Sequence, residues 1–478
     1  MEDLSDIQQF YKDQTIFITG GSGFIGKVLL EKLLRVCYNL SAIYILIRPK
    51  RGKTPEQRFN DIFDYACFDR LKSEMPNFHE KVHLISGDCD KAGLGIGQRD
   101  REILKEKVTI LFHAAANVTF NQVLRLATNS NVRAVTDALE MAKEMAQLKA
   151  FVYISTAYSN CPRTYVREKF YEPGIKAKNL FALVDAVDDK ILDALTPDLI
   201  QDWPNTYTFT KCIAEDVIRT EMDALPVAIV RPAIIVSTYE DPLPGWVDNF
   251  YGMTGAGVGV MTGALKNIYG DDDTIIFTVP CDYVVNNVIA SPWDLNTRKP
   301  TTLEECEYII YNYVGSHKSA VTLKNWTDNI SIMRWTYPFN MMLWFPMVTV
   351  TKSATWFKIR CFFQHTLLVY IIDLTLICTG KKAVAVKKLE KVHQYLDLTS
   401  YFILNTWHFD CYNVETLWKK MSEKDRKLFT LNMDDFNWNR YWRYMFQYGR
   451  VFLMNDSLET LHKARRKVIL FAVIHYLF

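Results

Sequence analysis

Apolar positions along the first half of the chain change period in a regular order. In QTIFITGGSGFIGKVLLEKLLR, Ile16, Phe17 and Ile18 form a short run that reads as a buried strand. A glycine turn follows, and then Ile25, Val28, Leu29, Leu33 and Leu34 recur on one helical face. The runs AIYILI, VHLIS, VTILFH, AFVYIS and VAIVRPAIIV repeat the strand pattern, with helical stretches such as NSNVRAVTDALEMAKEM between them. Strands alternating with helices predict an α/β fold with a doubly wound parallel Rossmann-type sheet. In such sheets ligands bind beyond the carboxyl ends of the strands. VDAVDDKILDALTPDLIQDW predicts an acidic amphipathic helix pair inserted on the substrate side. GWVDNFYGMTGAGVGVMTGALKN is rich in glycine and nearly uncharged, and predicts a flexible loop.

Past about residue 325 the pattern becomes aromatic and helical. This predicts an organisation of 1–325 for the nucleotide-binding region, 326–360 for a connector, 361–455 for a helical C-terminal domain and 456–478 for a tail. CFFQHTLLVYIIDLTLIC, from Cys361, is close to the ~20 residues a spanning helix needs. Gln364, His365 and Asp373 interrupt it, and a carboxylate costs roughly 2.5 kcal/mol or more near the bilayer centre. A buried or membrane-surface helix is therefore expected, followed by basic residues from Lys381 to Lys388. Val414, Leu417 and Trp418, then Trp438, Tyr441, Trp442 and Met445, read as helical core. The closing segment KARRKVILFAVIHYLF sets cations before an apolar stretch, too short at 1.5 Å per residue to cross a ~30 Å core. It predicts association with a membrane surface.

Composition removes some classes of partner. Of 478 residues, 56 are Lys or Arg and 54 Asp or Glu, so no global charge favours nucleic acid. Ten cysteines occur without a C-x-x-C pair, which argues against a disulfide framework or a metal site. The N-terminal stretch MEDLSDIQQFYKDQ is acidic and polar and does not read as a secretory leader. The main domain is expected in reducing cytosol.

Candidate chemistry sits at the ends of the expected strands. Gly20, Gly23 and Gly26 follow a strand and open a helix, the context in which glycines let a pyrophosphate approach backbone at a helix N-terminus. The second strand ends not in an acid but in Arg48, Lys50 and Arg51, which suit a 2′-phosphate and so NADPH rather than NADH. Gly87-Asp88 ends the third strand, where it can approach the adenine. Ser155 and Thr156 end the fifth. Tyr207 and Lys211, in WPNTYTFTKCIAE, share one helical face one turn apart. A phenol there can protonate a developing alkoxide, and a lysine beside it can lower its pKa and hold ribose hydroxyls.

These motifs together resemble a known family. T-G-G-S-G-F-I-G, I-S-T and Y-T-F-T-K resemble the extended short-chain dehydrogenase/reductases. The longer runs to I-R-P-K-R-G, with I-S-T-A-Y-S-N, P-N-T-Y-T-F-T-K, P-L-P-G-W-V-D-N-F-Y-G and V-P-C-D-Y-V-V-N-N, resemble the fatty acyl-CoA reductases over nearly the whole chain. The chain departs from the family in A-A-N-V-T-F, so no role carries over to Asn117 or Thr119, and in Cys281. The resemblance implies Tyr207 as acid, Lys211 as its tuner, and Thr156 or Ser155 as the substrate's hydrogen-bond partner, with Thr156 favoured by analogy. It implies Thr19, Gly20, Gly23, Phe24, Ile25, Gly26, Arg48, Lys50, Asp88, Ala115 and Pro232 around the cofactor. It implies a long-chain fatty acyl-CoA substrate reduced to the alcohol with two NADPH, at a membrane of the endoplasmic reticulum or peroxisome. The glycine-rich loop would line the acyl or CoA channel, with Lys266, Arg163 and Arg167 as candidate cations for CoA phosphates. A steroid or aldehyde dehydrogenase of the same superfamily, or a silent NADPH-binding lipid scaffold, are the competing readings.

Overall fold

The computed structural model describes residues 3–223, 225–298, 308–380, 382 and 385–477. Lys381 and Phe478 lie outside the described residues. Seven strands form one parallel sheet: β1 (Thr15–Thr19), β2 (Ala42–Ile47), β3 (Val82–Ser86), β4 (Ile110–His113), β5 (Ala150–Ile154), β6 (Val227–Pro232) and β7 (Tyr308–Tyr313). Their order is β7-β6-β5-β4-β1-β2-β3. Every pairing is parallel, with Ile16 opposite Ile43 on one side and Ile110 on the other. The order reverses between β1 and β4, which opens the crevice for a ligand there. β1 and β5 are buried along their whole length, as expected of parallel strands covered on both faces.

Four of the helices position the site or its surroundings in the first part. They are α1 (Phe24–Val36), α2 (Ala134–Glu144), α3 (Thr206–Glu221) and α4 (Cys281–Thr297). The acidic insertion carries one helix, Asp189–Ile200, rather than the expected pair; the helix before it, Ala177–Ala186, shares only its last three residues with that stretch. The glycine-rich segment departs from expectation. Gly252–Met261 is a helix, and Met253, Ala256, Gly257, Val260 and Met261 on it are buried. Glycine lowers helix propensity by roughly 1 kcal/mol per residue. Here a Cβ on Gly257 would already touch Met445 at 3.6 Å and Phe446 at 3.7 Å. Close packing against the C-terminal helices therefore overrides local propensity.

The C-terminal region comprises α5 (Leu367–Cys378), α6 (Ala385–Leu404), α7 (Trp438–Met454) and α8 (Leu461–Leu477), with shorter helices between. It shares one core with the sheet: a single apolar cluster includes Ile16 and Val230 as well as Tyr441, Met445 and Phe446. His408–Phe409 pairs in parallel with Tyr165–Val166 beyond the sheet edge. Among the described residues, no helix is long and apolar enough to cross a membrane. The run from Cys361 breaks into a π-turn at Phe362–Thr366 before α5. Asp373 has a local reason to stand in it, since its Oδ2 accepts the Val386 N–H at 3.0 Å at the start of α6.

Candidate active site

The glycine turn fits a dinucleotide on steric grounds. Gly20 has φ +75°, and a Cβ there would lie 2.6 Å from the Ala115 nitrogen. A Cβ on Gly26 would lie 2.2 Å from the Gly20 oxygen. Only glycine permits both approaches. Gly23 is the N-cap of α1 and supplies no side-chain cap, so no side chain caps the first-turn N–H groups at Phe24, Ile25 and Gly26 ahead of a diphosphate. Thr19 Oγ1 accepts the Ala115 N–H at 3.3 Å and bonds His113 Nδ1 at 3.1 Å, tying β1 to β4 across the crevice. Pro232 ends β6, on the far side of β5. The ring of Phe24 packs on Trp246 at 5.4 Å.

The cations beyond β2 form a real cluster, with a different membership from the expected one. Arg48 Nη1 donates to Asp88 Oδ1 at 3.3 Å and to Asp90 Oδ2 at 2.5 Å, so Asp88 is occupied by a guanidinium. Arg58, which no motif singled out, donates to the Arg48 carbonyl at 2.5 Å and to Ser22 Oγ, in the glycine turn, at 3.3 Å. It is carried there by a helix whose start is legible, with Thr54 and Gln57 in a capping box and Pro55 in the first turn. Burial, then the neighbouring charges of Arg48, Arg58 and Arg51, depress the Lys50 ammonium below its ordinary range. Like charges held together in this way favour an arriving phosphate.

Tyr207 lies in the first turn of α3, whose N-cap Asn205 accepts the Thr208 N–H at 2.9 Å. Burial pushes the Tyr207 phenol well up, while a hydrogen bond with Thr156 pulls the other way. The opposing influence thus comes from Thr156 and not from Lys211. Lys211 Nζ instead donates to the Ile154 carbonyl at 2.8 Å and the Tyr153 hydroxyl at 3.2 Å, at the end of β5. Burial lowers its pKa to about 7, with Glu215 acting in the opposite direction. The two hydroxyls that end β5 separate cleanly. Thr156 reaches Tyr207, whereas Ser155 Oγ donates to Glu215 Oε1 at 2.5 Å. Glu215 also receives Arg231 Nη2 at 2.6 Å, so Ser155 belongs to a buried structural ion-pair network. Both residues follow β5, where Thr156 is still extended and caps the turn Ala157–Asn160, and successive side chains of an extended backbone point to opposite sides.

Several contributors carried no sequence signal. Phe120 stacks on Tyr207 at 5.8 Å and packs on Phe402 of α6 at 5.6 Å, so the helical region reaches the site. Asn131 Oδ1 accepts the Asn117 N–H at 2.8 Å, and its Nδ2 donates to Thr210 Oγ1 at 3.1 Å, pinning the loop after β4 to α3. Asn117 Oδ1 also accepts the Thr119 N–H at 3.0 Å. Lys266 has its partners in the C-terminal half. Its backbone N–H donates to His365 Nε2 at 3.1 Å and its ammonium sits 5.1 Å from the Trp344 ring.

Cysteine spacing argued against a metal-ligand set, yet one group of potential ligand side chains comes together in three dimensions. Cys361, His365 and His393 offer ligand atoms within 4.8 Å of one another, because α6 folds back beside the π-turn. With Nε2 of His365 accepting from Lys266, its Nδ1 carries the proton and is a donor rather than a ligand in this arrangement.

The comparisons agree with this architecture. The NAD-binding model of the male sterility proteins matches residues 18–288, and a second male sterility protein model, Sterile, matches 364–456. A reductase domain of a Mycobacterium tuberculosis non-ribosomal peptide synthetase superposes with TM-score 0.60 at 14% identity, covering 95% of this chain and 94% of that one. The terminal reductase domain of the myxalamid pathway gives 0.59 at 16%, covering 91% and 90%. Fatty acyl-CoA reductase wat of Drosophila melanogaster is 36% identical over 100% of this chain and 91% of its own length. Fatty acyl-CoA reductase 2 of Homo sapiens is 33% identical over 99% and 91%. With one family model across more than half the chain and full-length relatives above 30% identity, the chain belongs to the fatty acyl-CoA reductase family.

Proposed function

We propose that the protein reduces long-chain fatty acyl-CoA to the primary alcohol with NADPH, in two reductions at one site. The observation that carries this reading is the meeting of Tyr207 with Thr156 just beyond β5, separated by β4 from the strand of the glycine turn, with Lys211 bonded to the same strand end. Gly20, Gly26 and the first turn of α1 would hold the diphosphate, and Lys50 and Arg58 a 2′-phosphate. When bound, the nicotinamide supplies the hydride. Thr156 and Tyr207 offer O–H donors to the carbonyl oxygen, where negative charge develops. A raised phenol pKa keeps Tyr207 protonated at neutral pH, the form a reductive proton donor needs. In the first reduction the thioester carbon gains hydride and its oxygen gains the Tyr207 proton, giving a hemithioacetal. The C–S bond then breaks, the hydroxyl proton returns to the Tyr207 phenolate, CoA leaves as the thiolate and the aldehyde remains. In the second reduction the aldehyde carbon gains a hydride from a second NADPH, its oxygen gains the Tyr207 proton and the alcohol forms, the phenolate regaining a proton from water.

The experiment is incubation with palmitoyl-CoA and NADPH, with hexadecanal and hexadecanol followed by mass spectrometry. Formation of neither product overturns the reading.

The apolar exterior supports association with a membrane surface; the endoplasmic reticulum or peroxisomal membrane, with the catalytic region on its cytosolic side, enters the proposal from the family resemblance alone. Trp356, Phe363, Leu374 and Ile377 are more than half exposed, as are Ile469, Val473 and Tyr476 on α8. Val468 and Ala464 of α8 pack inward while Arg465 and Arg466 stay exposed beside the apolar face, as in a helix lying at a headgroup boundary. Sedimentation with phosphatidylserine vesicles is expected. Equal recovery in the supernatant with and without vesicles refutes the association.

A further inference from the structure

Beyond the carboxyl ends of β6 and β7 the chain between Arg163 and Tyr171 forms a short shelf whose backbone is fixed from below. Arg231, fully buried at the end of β6, donates through Nη1 to the Arg167 carbonyl at 3.0 Å and through Nη2 to the Lys169 carbonyl at 2.9 Å. Asn312 on β7 donates to the Val166 carbonyl at 3.1 Å. The Arg167 N–H donates to the Tyr171 hydroxyl at 2.8 Å, which fixes that ring. Arg163 and Lys169 lie over the Tyr171 ring at 4.8 and 5.5 Å, and Arg167 lies over the Tyr165 ring at 5.2 Å.

All three cations are exposed, and no ion pair among the described residues includes them. Glu168, between them in sequence, turns inward to accept the Asn312 and Asn413 N–H groups at 3.1 and 2.7 Å. Burial raises its pKa to about 8, so it offsets little of their charge at neutral pH. Stacking on tyrosines holds the cations in place rather than leaving them free in solvent. The shelf is on the β6/β7 side of Tyr207, whereas the Arg48, Lys50 and Arg58 cluster lies beyond β2, on the other side of β1. Arg163 follows Thr156 by seven residues, including a 3-10 turn, so it is at most roughly 25 Å away along the chain.

We infer that Arg163, Arg167 and Lys169 bind the 3′-phosphate and diphosphate of coenzyme A, with the exposed Tyr165 ring beside them as a stacking surface for the adenine. This rests on the acyl-CoA reading of the site and names where the thioester's nucleotide end is held. The pantetheine arm then runs from the shelf to Tyr207.

The test is a charge-reversed enzyme, Arg163→Glu with Arg167→Glu and Lys169→Glu. The KM for palmitoyl-CoA is expected to rise about 10- to 100-fold, as loss of several charge-assisted phosphate contacts implies. The KM for hexadecanal, which has no nucleotide, is expected to stay within about twofold, which also reports correct folding. Unchanged KM for both substrates, or an equal rise for both, overturns the inference. A measurement independent of turnover is titration of 3′-phosphoadenosine 5′-diphosphate into protein saturated with NADP. Binding to the native protein that is lost in the variant supports the shelf, and equal binding to both overturns it. If the native protein binds this nucleotide but forms no alcohol, the acyl-CoA reduction reading fails while the shelf survives.

Discussion

The two cation clusters along the carboxyl edge of the sheet are built on different principles. Beyond β2, Arg48 is tied to Asp88 and Asp90, and Arg58 is tied to a backbone carbonyl and to Ser22. Beyond β6 and β7, Arg163, Arg167 and Lys169 have rings for neighbours and no carboxylate partner among the described residues. A cluster with internal acids keeps its shape without a ligand and exchanges partners when a phosphate arrives. A cluster without them projects a field that steers an anion from solution and fades with salt. The first arrangement suits a cofactor held through chemistry, the second a substrate that must arrive and leave. Tyr207 stands between them.

The largest expected effect removes what both ends serve. Tyr207→Phe is expected to lower kcat with both palmitoyl-CoA and hexadecanal by about 100- to 10,000-fold, measured by NADPH oxidation. Loss with one substrate alone would assign proton donation in the other reduction to a different group. Gly26→Ala places a methyl 2.2 Å from the Gly20 oxygen and is expected to raise the KM for NADPH about 100-fold, the equivalent of roughly 3 kcal/mol of backbone strain. Affinity for 3′-phosphoadenosine 5′-diphosphate should not change, because only the cofactor end is disturbed. Arg58→Ala is expected to raise the KM for NADPH about tenfold and that for NADH little, since one charge-assisted contact is lost. An equal rise for both would make Arg58 a support of the turn rather than a reader of the 2′-phosphate.

Ionic strength separates the two ends without mutation. Between low and physiological salt the KM for palmitoyl-CoA should rise several-fold more than that for NADPH, because the exposed shelf is the more screened of the two. The smallest effect is protonic. The folded pKa of Lys211, about 7, lies below its ordinary value of 10.5, and burial is the cause. The unfolded chain then binds more protons than the folded one between those values, so this group's contribution to stability rises with pH across that window. An anionic cofactor nearby favours the ammonium. NADPH binding at pH 8 should therefore take up part of one proton, and at pH 6 almost none, as read by calorimetry in buffers of different ionisation enthalpy. Lys211→Met should abolish the uptake.

The cofactor half of the site was legible because its residues lie close in sequence and their spacing is their mechanism. Strand, Gly20, Gly23, Gly26 and helix follow within one short stretch, and Tyr207 and Lys211 share a helical face. The order of Ser155 and Thr156 was not legible. Both hydroxyls end the same strand, and only the direction of β5 sends one to Tyr207 and the other to Glu215. Arg58 was missed because an arginine in the first turn of the helix after the β2 loop has no pattern of its own. The Gly252–Met261 helix was misread as a loop because local propensity speaks against it, while Met445 and Phe446, nearly two hundred residues away in sequence, fill the space beside it.

By itself the sequence determined the alternation of strands and helices, the glycine turn, the placing of Tyr207 and Lys211 one turn apart on a helix, and the family, since each is encoded by spacing within a few tens of residues. Tertiary structure alone decided which hydroxyl meets Tyr207, what surrounds Lys211, which cations are already paired, and that α6 and α7 complete the core around the sheet. Those outcomes depend on burial and on contacts between distant segments. Charge state and hydrogen-bond partnership are set by such surroundings and not by residue type.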